Sequence, residues 1–140
     1  MSDFHQNGII TTFHNFRTKN LDYIENELEN FSKQRPMQLI LPSLFSELSG
    51  AALPDIVNKL KKVQYLKQIT IGLDNANEDD FNHAKTFFSQ LPQKVRIIWH
   101  DGPNMKAVSN LLKENGLDES VPGKGRNVWY CMGYIYGLKN

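Results

Sequence analysis

The chain has 140 residues, enough for one domain that buries about two-thirds of the surface its unfolded form exposes. Sixteen Lys and Arg stand against fifteen Asp and Glu, a formal charge of +1, which argues against a nucleic-acid or anionic-membrane partner. The single cysteine, Cys131, excludes an internal disulfide, no Cys/His cluster has zinc-site spacing, and no apolar run approaches the about 20 residues of a membrane span, so a cytoplasmic setting is expected.

Residues 1–19 mix β-forming Ile9, Ile10, Thr11, Thr12 and Phe13 with polar residues and read as an extended arm; residues 20–140 read as one α/β domain. Asn20 is placed to cap a helix whose Leu21, Ile24, Leu28 and Phe31 recur at helical spacing, with Pro36 beyond its end. Met37 to Leu41, closed by Pro42, suits a buried strand, and Pro54 is expected to open a helix with Leu53, Ile56, Val57, Leu60 and Val63 on one face. Gln68 to Leu73 forms a second strand ended by Asp74. Asn77 then caps a helix with acids in its first turn and Phe81, Ala84, Phe88 and Leu91 inward. Lys94 to Trp99 is a third strand, tipped by His100-Asp101-Gly102. Pro103 starts a helix carrying Met105, Val108, Leu111 and Leu112, which Gly116 stops. Val121 to Gly125 reads as a loop feeding a last helix from Arg126 to about Leu138.

This alternation predicts a Rossmann-like parallel sheet with flanking helices, because parallel neighbours require crossovers and right-handed crossovers lay helices on the faces. Ligands of such sheets lie at the carboxyl ends of the strands. The polar residues Pro42 to Glu47, Asp74-Asn75 and His100 to Gly102 fall there.

Glu47, just past a strand end, suits acceptance of hydrogen bonds from ribose hydroxyls or a base edge, and equally suits capping of the next helix. Asp74 suits pairing with a ring N–H, and Asp-Asn also suits a simple turn. Gly123-Lys124-Gly125 offers free backbone, a point charge and a helix start to an anion such as a diphosphate. It is neither a Walker loop, since no Gly stands five positions before Gly123, nor a complete GxGxxG fingerprint; a surface loop is the plain alternative. His5, His14, His83 and His100 are scattered and none is assigned to a metal. Cys131 reads as a packed thiol, Gly133 and Gly137 as a face that lets the last helix approach its neighbour, and Trp99, Trp129, Tyr130, Tyr134 and Tyr136 as core or crevice wall.

Together, Leu41-Pro42-Ser43-Leu44-Phe45-Ser46-Glu47, Gly72-Leu73-Asp74-Asn75 and Pro122-Gly123-Lys124-Gly125-Arg126 resemble the nucleotide-binding N-terminal half of GT-A-fold glycosyltransferases, in the group of glucosyl- and mannosyl-3-phosphoglycerate synthases. The resemblance spans about residues 36 to 136, with a first loop one residue longer than the usual pattern. It implies that Pro42, Ser43, Leu44 and Glu47 line a uridine or guanosine pocket, that Asp74, beside Asn75, contacts the base, and that Lys124, between Gly123 and Gly125, approaches the phosphates of a nucleoside diphosphate sugar. It further implies transfer of a hexose to a small hydroxylated acceptor such as a glycerate derivative, with Mg or Mn held by an Asp-x-Asp motif that this sequence lacks. On this reading the acceptor half belongs to a missing C-terminal half or a partner chain, a homo-oligomer is compatible, and the 140 residues alone transfer little or no sugar. The alternative is a non-catalytic α/β nucleotide- or protein-binding module.

Overall fold

The computed structural model describes residues 20–117 and 121–138, so the arm expected over residues 1–19 lies outside the described residues. In chain order the elements are α1 (Leu21–Gln34), β1 (Met37–Leu44), a short 3₁₀ helix (Phe45–Ser49), α2 (Ala52–Leu60), β2 (Leu66–Asp74), α3 (Glu78–Phe88), β3 (Lys94–Trp99), α4 (Pro103–Glu114) and α5 (Lys124–Gly137). The three strands form one parallel sheet in the order β1-β2-β3, flanked by helices, as the alternating pattern predicts.

Local chemistry fixes the boundaries. The Asn20 side chain accepts from the Asp22 amide to start α1, and Asn77 and Asp80 exchange side-chain-to-backbone bonds of 2.9 and 3.0 Å to start α3. Gly116, at φ 78, turns the chain after α4 in a region that glycine enters without a Cβ clash. Three boundaries differ from expectation. β1 does not stop at Pro42 but runs through it to Leu44: among the described residues β1 pairs on one side only, and an outer strand tolerates a residue without an N–H. α2 begins two residues before Pro54, which the first helical turn accommodates because its N–H groups have no intrahelical acceptor. α5 begins at Lys124 rather than Arg126, so Lys124 and Gly125 belong to its first turn and Gly123 precedes it as the cap residue.

β2 is the axis of the molecule. Its side chains alternate between faces. Ile69, Ile71 and Leu73, all without solvent exposure, join Val57 of α2 and Ala84 and Phe88 of α3 in the hydrophobic core. The opposite face carries Gln68, Thr70, Gly72 and Asp74, and it too is buried. The Gln68 amide spends its donors on Gln38 and Thr70, and the C-terminal part of this face is covered by α5. A Cβ on Gly72 would lie 1.7 Å from Asn127 Oδ1 and 2.9 Å from Cys131 Sγ, so glycine is what permits α5 to sit this close.

Several apolar groups lie elsewhere than their periodicity suggests. Neither α1 nor α4 contains a buried residue, and Leu21, Phe31 and Leu111 are each more than half exposed. Among the described residues the Gly133/Gly137 face packs against no neighbour, because a Cβ at either position meets nothing within 4 Å. Trp129 and Tyr136 share that outer side of α5 and are exposed rather than core, whereas Tyr130 is buried.

Two glycine substitutions separate these environments. Gly72→Ala is expected to cost about 1–3 kcal/mol through overpacking, read as a lowered urea midpoint. Gly133→Ala, in an open stretch of helix, is expected to raise stability by about 0.5–1 kcal/mol; a loss there would contradict the open environment of its outer face.

Candidate functional site

The carboxyl ends of β1 and β2 and the start of α5 enclose a cleft of about 400 Å³ lined by Pro42, Ser43, Leu44, Glu47, Asp74, Asn75, Pro122, Gly123, Lys124 and Asn127. This size lies within the usual range for small-molecule sites, about 300–1,000 Å³. Of the candidate residues, Pro42, Ser43, Leu44, Glu47, Asp74, Asn75, Gly123 and Lys124 meet in this wall; Gly125 stands one residue further along α5, exposed and outside it. A second cavity of about 650 Å³ shares Pro42, Ser43, Glu47 and Lys124 and continues along β1 to the start of α2.

The β1 side supplies one carboxylate and one hydroxyl. Glu47 Oε2 accepts the Leu44 backbone N–H at 2.9 Å, so the acid caps its own 3₁₀ turn while facing the cleft. Ser43, at 4 % exposure, holds its hydroxyl in the wall with no hydrogen-bond partner among the described residues. A buried polar atom left unmatched costs free energy that a ligand donor or acceptor can recover.

At the end of β2, Asn75 takes φ 54, a left-handed conformation that Asn tolerates, and turns the chain away from the sheet. Ala76 is pinned beyond it: its N–H donates to Asp101 Oδ2 at 3.0 Å and its carbonyl accepts from Trp99 Nε1 at 2.7 Å. The turn belongs to Asn75, and Asp74 does something else. Arg126 Nη2 donates to Asp74 Oδ1 at 3.2 Å, while Asn127 Nδ2 reaches Asp74 Oδ2 at 3.4 Å and the Gly72 carbonyl at 2.9 Å. Both carboxylate oxygens are therefore engaged inside the protein.

The start of α5 is the positive side of the cleft. Among the described residues no side chain caps it, and no acid lies in its first turn, in contrast to α3 with Glu78, Asp79 and Asp80. Its first amide N–H groups, the helix dipole and Lys124 all favour an anion there. Sequence reasoning missed Arg126 and Asn127, whose partners lie 52 to 55 positions away; the one available signal was a charged and an amide residue directly following the glycine pair.

Behind the cleft, His100 is buried, with its ring 5.5 Å from that of Tyr130 and no hydrogen bond to either ring nitrogen among the described residues. Burial lowers its pKa below the ordinary value, an effect opposed by Asp74, the nearby Asn127 amide and Asp101 and assisted by Arg126. Burial, reinforced by the charge of Asp74, pushes the Cys131 thiol up to about 11, so it is an inert packed thiol. Among the described residues no three His, Cys, Asp or Glu side chains gather to hold a metal ion, and none of the helices is long and apolar enough to cross a membrane.

The resemblance to the phosphoglycerate-linked synthases is borne out by two curated relatives. The chain is 49% identical over 135 residues to a glucosyl-3-phosphoglycerate synthase of Persephonella marina, covering 96% of this chain and 34% of the relative. It is 32% identical over 132 residues to one of Methanococcoides burtonii, covering 94% of this chain and 32% of the relative. The chain thus spans about a third of the length of the curated relatives it matches. No family model matches the chain, and no solved structure matches it.

The depressed His100 pKa has a testable sign. The unfolded chain takes up the proton near pH 6.5 and the folded protein only at lower pH, so this contribution to stability is full above about pH 6.5 and is lost as pH falls toward the folded value. His100→Gln is expected to show a shallower fall in melting temperature between pH 7 and 5.5 than the parent; parallel curves would remove His100 as the titrating group.

Proposed function

We propose that this chain is the nucleotide-sugar-binding part of a glycosyltransferase that moves a hexose from a nucleoside diphosphate sugar to a small hydroxylated acceptor such as a glycerate derivative. One observation carries the reading: three segments far apart in sequence, Pro42 to Glu47, Asp74-Asn75 and Pro122 to Lys124, line one cleft at the carboxyl ends of a parallel sheet. The names of the two relatives supply the reaction class.

In this reading the uncapped start of α5 and Lys124 hold the diphosphate. A positive helix end and an ammonium group fixed in advance stabilise the charge that grows on the departing diphosphate, at no cost of reorganisation when the glycosidic bond breaks. The partnerless Ser43 hydroxyl and the β1 wall orient the nucleoside; Leu44 and Pro42 supply apolar surface for a base or ribose. GT-A transferases are expected to use Mg or Mn, but Glu47 is engaged with Leu44, Asp74 with Arg126 and Asn127, and no metal-holding cluster forms among the described residues. No step assigned to these residues therefore runs through a metal. The acceptor site and the metal ligands belong, in this proposal, to polypeptide beyond the matched third of the relatives, and the present residues alone bind donor without appreciable transfer.

Calorimetry with uridine and guanosine and their diphosphates tests this directly. Lys124→Ala is expected to weaken diphosphate binding by about tenfold, the worth of one charge-assisted hydrogen bond, and to leave nucleoside binding within about twofold. Equal losses for both ligands remove Lys124 from the phosphate site. Gly123→Ala adds a Cβ that meets no protein atom within 4 Å, so it is expected to fold normally while hindering a diphosphate laid against this backbone. Unchanged affinity there argues that the phosphates lie elsewhere.

A further inference from the structure

The two cations of the first turn of α5 are not equivalent. Lys124 lines the cleft. Arg126, two positions on, faces a carboxylate contributed by another element: its Nη2 lies 3.2 Å from Asp74 Oδ1, with the side chains only 21% and 9% exposed. Among the described residues α5 has no acid in its first turn and no side-chain cap, and Asp74, reaching over from the end of β2, is a carboxylate that pairs with its first turn. The same cleft wall holds the buried Ser43 hydroxyl without a hydrogen-bond partner among the described residues, a group in position for a ligand oxygen.

We infer that Asp74 stands in for a ligand anion: a diphosphate entering the cleft takes Arg126 over from Asp74, so the Asp74 carboxylate competes with the ligand rather than binding it. The inference rests on the diphosphate reading of the cleft for the chemical class of the ligand. Its physics is the exchange of one contact of Arg126 for another. In the free protein a largely buried guanidinium and a largely buried carboxylate neutralise each other, which avoids leaving either charge uncompensated. A diphosphate offers Arg126 a doubly charged, fork-matching partner, while the carboxylate left behind repels it. Asp74 thus lowers affinity for any anion at this helix start, and Arg126 raises it, although the two residues touch each other. Asn127 keeps the carboxylate from leaving the site, because its amide holds both Asp74 and the Gly72 carbonyl.

Inorganic pyrophosphate, which has no base for Asp74 to contact, is the probe. Calorimetry on the parent chain, Asp74→Asn and Arg126→Gln, with circular dichroism to establish folding, is expected to give about fivefold tighter binding for Asp74→Asn and at least about tenfold weaker binding for Arg126→Gln. Pyrophosphate bound by Asp74→Asn but not by the parent supports the exchange in its strongest form. Binding by the parent with unchanged or weaker binding by Asp74→Asn overturns the exchange and leaves the phosphate site standing. Should Asp74→Asn not fold, unchanged affinity in Arg126→Gln overturns it, and reduced affinity sustains it. Absence of pyrophosphate binding in all three proteins removes the phosphate site and the exchange together.

Discussion

The close approach of α5 to the polar face of β2 is the contact on which the site depends. Gly72 has no Cβ, so Asn127 can enter the space a side chain would fill, and its amide bonds the Gly72 carbonyl and reaches the Asp74 carboxylate. A larger residue at position 72 would push α5 outward and carry Lys124 and Gly123 with it, since both lie within one turn of Asn127. The cleft therefore exists because one glycine in a central strand faces one amide in a helix from the far end of the chain. The apolar face of the same strand does separate work: Ile69, Ile71 and Leu73 anchor the core with Val57, Ala84 and Phe88 and hold β2 rigid beneath the site.

Charge is distributed with equal economy. With a formal charge of +1, the molecule has no field of its own strong enough to draw anions. Local attraction arises where, among the described residues, α5 begins without a side-chain cap or a first-turn acid and with Lys124 facing the cleft. α3 shows the opposite solution, with three acids and a reciprocal cap closing its start. Two helices of one sheet thus finish their N-termini differently. The open one borders the cleft, and that difference is more informative than the number of charges.

Much of this was legible in the sequence because it depends on local rules. Asn20, Asn77, Gly116 and the order of the strands follow from caps, positive φ and crossover geometry, each decided within a few residues. The convergence of Pro42 to Glu47, Asp74-Asn75 and Lys124 was legible too, because strand ends of a parallel sheet necessarily share a rim. Periodicity misled where burial depends on a neighbour. The stripes of α1 and α4 have helical spacing but bury no residue, and Gly133, Trp129 and Tyr136 occupy the outer side of α5. The strand expected over Gln68 to Leu73 carries Gln68, Thr70, Gly72 and Asp74 on one face that is polar and still buried, which needs α5 from elsewhere in the chain to cover it. The engagement of Asp74 with Arg126 and Asn127 joins residues more than 50 positions apart, which no local pattern encodes.

Pro42 has a consequence beyond the cleft it lines. Among the described residues β1 is an outer strand of the sheet, and an outer strand is a template on which another extended segment can add by backbone hydrogen bonding. A residue that cannot donate interrupts that template where the strand meets the cleft, leaving Met37 to Leu41 as the longer uninterrupted stretch. Any segment adding to this edge would find its longer run of backbone donors at the end of β1 remote from the cleft.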